Sequence, residues 1–216
     1  MMINEIFFSI QGEGNKIGIP TIFIRFSGCN LDCSYCDTDH QQGTMMSVDR
    51  IIEEIKKYPV KEVCITGGEP LIQLKPLKLL ILKLRQNEFV ITIETNGSFY
   101  NEIFEHVDLV SFDVKLPSSH VKTDLSLIKF LNPENTQLKF VIGNLEEDYE
   151  IAKRIILTDY ISKEKKFQII FMPVSEGKTQ YTAKDYKLLK AITDKVLEDQ
   201  LKVKVLPQLH KILNVK

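Results

Sequence analysis

Residues 21–36 read Thr-Ile-Phe-Ile-Arg-Phe-Ser-Gly-Cys-Asn-Leu-Asp-Cys-Ser-Tyr-Cys, an apolar stretch followed at once by three cysteines. The stretch from Thr21 to Phe26 reads as a strand, and Cys29, Cys33 and Cys36 after it supply three thiolates from one short loop and no fourth. An electron-transfer iron–sulfur cluster takes four cysteines, so a four-iron cluster held by three keeps one iron open to another ligand. Other readings of the same thiols stand beside this one. With His40 they make a closed Cys3His zinc set. A zinc knuckle, however, stabilises a small domain that lacks a core, whereas 44% of this chain is hydrophobic. Disulfides fit poorly with such close spacing in a chain that shows no secretory segment.

Composition frames the rest. With 216 residues the chain can bury one sizeable core, and a single domain over residues 1–216 is expected. Lys and Arg number 28 against 29 Asp and Glu, so no global field favours nucleic acid or an anionic membrane. The segment Met1 to Ile10 lacks a basic-then-apolar signal pattern, and no apolar run approaches the ~18 residues of a membrane span. The expected location is the cytoplasm. Only Cys64 lies outside the triplet, so a second cluster has no ligands; in Glu62-Val-Cys-Ile-Thr66 it reads as a buried, inert thiol.

Strand and helix patterns alternate along the chain. Val48, Ile51, Ile52 and Ile55 follow helical spacing behind Ser47 as N-cap, and a strand follows at Lys61 to Thr66. Pro76 is expected to open a second helix with Leu77, Leu80, Ile81 and Leu84 on its inner face. Further strands are expected at Phe89 to Glu94, Val107 to Asp113, Gln137 to Ile142, Phe167 to Met172 and Lys202 to Leu206. Helices fall near Glu146 to Thr158 and at Ala183 to Gln200, the latter behind a Thr182 to Asp185 capping box and burying Leu189, Ile192 and Val196. Leu116 to Glu134 reads as a long connection, or an insertion covering a site. Such alternation predicts βαβ units and an α/β fold: an incomplete TIM-like barrel of parallel strands, helices outside, with the N-terminal segment pairing separately.

Parallel α/β barrels place their chemistry at the C-terminal strand ends. Here those ends carry the cysteines, Thr66-Gly-Gly-Glu-Pro70, Glu94-Thr-Asn-Gly97, Asp113-Val-Lys115, Met172-Pro173 and Pro207-Gln-Leu-His210. Glycines at Gly67 and Gly68 let backbone approach a ligand closely, and Glu69 offers an acceptor for an ammonium group.

The triplet, the Gly67-Gly-Glu-Pro70 element and this strand order resemble the radical S-adenosylmethionine (SAM) superfamily. Phe8-Ser-Ile-Gln-Gly-Glu-Gly14, Arg25-Phe-Ser-Gly-Cys29, Cys36-Asp-Thr38 and the tail Leu206-Pro-Gln-Leu-His210 resemble, more narrowly, the 7-carboxy-7-deazaguanine synthase family. The resemblance covers essentially the whole chain. It implies a lyase in which a reduced 4Fe-4S cluster cleaves SAM to a 5′-deoxyadenosyl radical that takes hydrogen from C6 of 6-carboxytetrahydropterin. Ring contraction and loss of ammonia follow. It further implies Mg2+, a flavodoxin or ferredoxin as electron donor, and a homodimer.

By the same resemblance Cys29, Cys33 and Cys36 hold the cluster and Thr38 holds Mg2+. SAM contacts fall on Tyr35, Cys36, Asp37, Gly68, Glu69, the run Asp113, Val114 and Lys115, and the run Phe171, Met172, Pro173 and Val174. Some members carry Ser-Pro-Lys where this chain has Asp113-Val-Lys115. The substrate set is Ile10, Gln11, Gly12, Glu13, Arg25, Thr66, Glu94, Asn96 and His210. Chemistry agrees: Arg25 offers a planar fork for a carboxylate, and Gln11, Glu13 and Glu94 offer acceptors for an amino-pyrimidinone edge. A strand ion pair for Arg25 and a structural role for His210 are the plainer alternatives. For the whole chain the alternatives are a glycyl-radical-enzyme activase, which needs an open groove for a protein substrate, and a non-catalytic metal-binding module.

Overall fold

The computed structural model describes residues 1–157, 166–177 and 179–216. Among the described residues nine strands form one sheet: β1 Met2–Ile10, β2 Pro20–Phe26, β3 Thr44–Met45, β4 Glu62–Gly67, β5 Val90–Thr95, β6 Leu109–Val114, β7 Thr136–Ile142, β8 Gln168–Pro173 and β9 Lys204–Val205. Their order is β3-β1-β2-β4-β5-β6-β7-β8-β9. The pairs from β2 to β9 are all parallel, while β1 lies antiparallel between β2 and β3. The sheet is therefore open, with β3 and β9 at its edges, as an incomplete barrel requires. The N-terminal segment does not pair apart from the barrel strands, because β1 folds back as a hairpin onto β2 and extends the same sheet.

Among the described residues five α-helices accompany it: α1 Val48–Ile55, α2 Leu74–Gln86, α3 Glu150–Leu157, α4 Ala183–Glu198 and α5 Leu209–Leu213. Ser47 caps α1 by accepting from the Arg50 N–H, and Ile51, Ile52 and Ile55 turn inward. The apolar face of α2 is buried as its spacing predicts, yet the helix begins at Leu74 and Pro76 sits in its first turn, where proline is tolerated. Pro70 opens a separate 3-10 turn, Pro70–Gln73. The α4 capping box forms, with Thr182 and Asp185 exchanging bonds, but the inward ladder is Leu188, Ile192 and Val196, with Leu189 one position off it. The helix expected near Glu146 to Thr158 starts as a π turn at Leu145–Tyr149 before α3, and Thr158 lies outside the described residues. Among the described residues no helix is long and apolar enough to cross a membrane.

The two faces of the sheet differ in chemistry. Ile24, Ile65, Ile93, Phe112, Phe140 and Phe171 point to the helix side and are buried. The alternate positions, Arg25 beside Thr66 and Asp113 beside Lys139, point inward. A sheet covered by helices on one face and lining a cavity with the other must alternate in this way.

The connection 116–134 contains two short 3-10 helices, Pro117–Ser119 and Leu125–Phe130. The first touches the cysteine loop: Ser34 donates its N–H to the Ser119 carbonyl at 3.1 Å and its hydroxyl to the Ser118 carbonyl at 2.5 Å. Buried Asp148 holds this turn by accepting from the N–H groups of Ser118 at 3.0 Å and Gly143 at 2.6 Å. Asp148→Ala leaves both donors unpaired, so the urea midpoint should fall by the equivalent of about 2 kcal/mol.

Candidate active site

After β2 the chain runs from Ser27 to Gly43 before it re-enters the sheet, and hydrogen bonds tie this loop from several sides. Gly28 N–H donates to the His40 carbonyl at 2.7 Å, and the Asn4 amide donates to the carbonyls of Asp39 and Gln42. Lys211 of α5 reaches Asp37 at 2.8 Å. The Asn96 amide donates to Asn30 Oδ1 at 2.9 Å and lies 3.6 Å from Cys29 Sγ. Gly68 brings the end of β4 against the loop so closely that a Cβ there would sit 1.8 Å from the Gly28 carbonyl oxygen. Only glycine fits.

Cys29, Cys33 and Cys36 are free thiols lining one cavity of about 780 Å³, while Cys64 is buried outside it. Burial pushes the Cys33 thiol up, with the Lys115 ammonium pulling the other way, and burial beside Glu94 pushes Cys64 well up. N–H groups at Leu31 and Asn96 approach Cys29 Sγ, the kind of bond that stabilises charge on cluster sulfur. Among the described residues no three Cys, His, Asp or Glu side chains converge closely on one point, while Cys29, Cys33, Cys36 and His40 all border the cavity. A loop of three separated thiols facing a shared cavity fits a multi-iron cluster.

The inner sheet face supplies the rest of the cavity wall. Lys139, buried on β7, lies 2.6 Å from Glu13 Oε2 and 3.2 Å from Asp113 Oδ1. Lys115 holds the other oxygen of Asp113 at 2.9 Å. Gln208 donates to Glu13 Oε1 at 2.7 Å. Burial opposes ionisation of Glu13, but Lys139, His210 and the Gln208 bond outweigh it and hold its pKa at about 2. Burial likewise opposes the Lys139 charge, and Asp113, Glu13 and Glu94 together push its pKa well up. Glu94 accepts from Thr66 Oγ1 at 3.0 Å and from the Gln11 amide at 3.3 Å.

Arg25 serves two purposes. Its Nε donates to Glu5 at 2.9 Å, the strand ion pair, and one terminal nitrogen donates to the Thr38 hydroxyl at 3.1 Å. Two of its five donors are thus spent, and the remainder borders the cavity. The Tyr35 hydroxyl is buried and has no hydrogen-bond partner among the described residues, an open valence beside the cysteines.

Most of the residues singled out in the sequence meet here. Ile10, Gln11, Gly12, Glu13, Arg25, Thr66, Glu94, Asn96 and His210 line the cavity, as do Tyr35, Asp37, Thr38, Gly68, Asp113, Lys115 and Val174. Others do not reach it. Val114 and Phe171 are packed into the helix-side core, Met172 is buried on the opposite face beside Val141 and Pro173 is buried too, whereas Val174 just beyond borders the cavity. Glu69 is fully buried, and its carboxylate accepts from Leu71 N–H, Thr95 Oγ1 and Asn96 N–H at 2.7–3.1 Å. Through these three donors Glu69 stitches the end of β4 to the end of β5. Burial pushes its carboxyl up, against those hydrogen bonds. The side chain of Asn96 is committed to the cysteine loop.

Lys139, Lys211 and Thr95 are among the lining residues that escaped the sequence reading. A lysine inside an apolar strand reads as a solvated edge, although Gln137, Lys139 and Val141 do alternate with Leu138, Phe140 and Ile142. Lys211 carries no comparable signal. The tail forms the cavity roof: Leu209 N–H donates to the Gly12 carbonyl at 2.9 Å, and a Cβ on Gly12 would meet His210 Nδ1 at 1.9 Å.

The Radical SAM superfamily profile matches residues 23–136, from β2 through the start of β7. The 7-carboxy-7-deazaguanine synthase of Methanospirillum hungatei is 35% identical over 217 residues, covering 100% of this chain and 86% of that protein. Its counterpart in Clostridium acetobutylicum is 36% identical over 207 residues, covering 91% and 92%. Among solved structures, QueE from Escherichia coli is similar in fold, with a TM-score of 0.72 at 24% identity, covering 97% of this chain and 94% of that one.

Glu13 has a depressed folded pKa, so its stabilising contribution is full above the ordinary value of 4.5 and is lost as pH falls through about 2. Glu13→Gln should therefore cost about 3 kcal/mol near pH 7. The gap from wild type, measured by chemical unfolding, should hold down to about pH 4.5 and narrow below it.

Proposed function

The chain belongs to the radical SAM superfamily and, within it, to the 7-carboxy-7-deazaguanine synthases, and we propose that it performs the reaction for which those relatives are named. It is then a carbon–nitrogen lyase that takes 6-carboxy-5,6,7,8-tetrahydropterin to 7-carboxy-7-deazaguanine with loss of ammonia, supplying queuosine and related deazapurines. The observation that carries this reading is the meeting of three thiols and the polar set Gln11, Glu13, Arg25, Thr66 and Glu94 in one cavity. A small molecule suits it. The tail packs over one side of the cavity through Leu209 on Gly12 and Gln208 on Glu13, which favours a small molecule over the protein substrate of a glycyl-radical activase.

Radical SAM enzymes use a 4Fe-4S cluster and SAM, which together supply a hydrogen-abstracting carbon radical when bound. Cys29, Cys33 and Cys36 would hold the cluster. Gly68 presents bare backbone beside that loop, and Tyr35, with its unpartnered hydroxyl, and Asp37 are the neighbouring groups for SAM. Arg25 binds the substrate carboxylate with its remaining donors, while Glu5 fixes the guanidinium from behind. Glu13 and Glu94, each already oriented by two protein donors, accept from the amino-pyrimidinone edge.

Mg2+ belongs to the same proposal. The Thr38 hydroxyl, with Asp37 Oδ1 at 3.5 Å, offers an oxygen edge on the cavity, and an octahedral ion would take its other ligands from substrate and water. A flavodoxin or ferredoxin donor, a homodimer and a cytoplasmic setting follow from the resemblance. A single domain over residues 1–216 is supported by one sheet running through the described residues.

Anaerobic turnover of 6-carboxytetrahydropterin by the reconstituted protein tests the function. Cys33→Ala should lose the cluster absorbance and SAM cleavage, whereas Cys64→Ala should still bind about four irons. Equal damage from both would sink the three-thiolate assignment. Arg25→Ala should raise the barrier by roughly 2–5 kcal/mol in kcat/KM with the cluster retained. Arg25→Lys should be impaired too, since it keeps the charge and loses the fork.

A further inference from the structure

Lys139 is a cavity residue that the proposed roles leave unused, and its position is unusual. Its ammonium is almost fully buried on the inner face of β7, a place where a lysine persists only if it is paired. Its two partners come from opposite halves of the cavity. Glu13 belongs to the loop between β1 and β2, beside the pterin-facing Gln11, and Asp113 ends β6 next to Lys115 and the cysteines. Gln208 and His210 of the tail face Glu13 from above, and Glu94 of β5 adds its charge to the field at Lys139.

Resting on the pterin reading above, we infer that Lys139 is a positioning residue for the substrate. Its ammonium fixes Glu13 as an ionised acceptor facing the pterin and, through Asp113, ties that acceptor to the cofactor half of the cavity. Glu13 is screened from water, so without a cation at 2.6 Å it would take up a proton and present a donor where the pterin also presents donors. Two donors facing each other repel the ligand. Lys139 prevents this without titrating itself, because its three acidic neighbours keep it charged. The arrangement makes substrate recognition independent of pH across the neutral range.

The experiment uses the reconstituted holoenzyme and the fluorescent probe 6-carboxypterin, with affinity measured by fluorescence from pH 5.5 to 7.5. Wild type should bind with an affinity that changes little across this range. Lys139→Met keeps the side-chain length, and its affinity should fall about tenfold at the acid end and recover as pH rises. Lys139→Met/Glu13→Gln removes both charges, so it spares the fold the uncompensated carboxylate, and its weakened affinity should track wild type in pH dependence. Because His210 also faces Glu13, the same comparison is repeated in a His210→Gln background, where the difference between Lys139→Met and the double variant should persist. With 6-carboxytetrahydropterin, KM of Lys139→Met should carry the same pH dependence while the cluster absorbance stays unchanged. A merely structural role would lower the unfolding midpoint of Lys139→Met and leave its binding profile flat, and that outcome overturns the inference alone. A pH dependence that persists in the double variant also overturns it, since Glu13 would not be its source. Wild type that fails to bind the probe overturns the pterin reading and this inference with it.

Discussion

Asp113 lies between two ammonium groups, Lys115 at 2.9 Å and Lys139 at 3.2 Å, and Lys139 passes the charge on to Glu13 at 2.6 Å. Signs alternate along this chain of four side chains, none of which has much water. Each ion alone would cost several kcal/mol to bury, and each is tolerable only because its neighbours are opposite in charge and in hydrogen-bonding distance. The rest of the cavity depends on that condition. Satisfying it requires the ends of β6 and β7 and the loop after β1 to stand at fixed separations, which sets the width of the pocket. Hydrophobic packing on the other face holds the sheet together but is indifferent to that width.

A second group of bonds settles where the rim lies. Glu69 takes three different donors from the ends of β4 and β5, and Gly68 just before it presses against Gly28. The cysteine loop therefore leans on the Gly68 backbone and the Asn96 side-chain amide, with Ser118 and Ser119 bracing its far side. A loop that must present three sulfurs to one cluster gains from such bracing, because the thiols are then placed before metal arrives.

How much of this could be read in the chain depended on whether the cause was local. Runs such as Val63-Cys-Ile65 and Leu138-Lys-Phe140 alternate because one face meets helices, so the strand positions emerged within one or two residues. Pro76 misled because proline is allowed anywhere in a first turn, and the earlier start at Leu74 leaves no mark of its own. The cysteine triplet and Arg25 were legible because their chemistry lies in residue type and spacing. Glu69 was not: it sits in a motif, but its carboxylate points to Thr95 and Asn96, 26 and 27 residues away, and nothing local reveals that. Lys139 and Lys211 were hidden for the same reason, since their anionic partners are contributed by distant segments.

That distance has a bearing on how the protein is made. The bond from Gln208 to Glu13 spans 195 positions, and Lys211 closes on Asp37 from the same tail. A ribosome delivers the cysteine loop early and the roof almost last. During elongation the thiols and the partly built charge chain face solvent, with Asp37 lacking its cation and Glu13 lacking its amide. Contacts of such long range form slowly and leave intermediate states exposed in the meantime. Nascent chains thus expose their thiols to metal and to oxidants for most of their synthesis, and the last strand and helix complete the cavity wall only at the end.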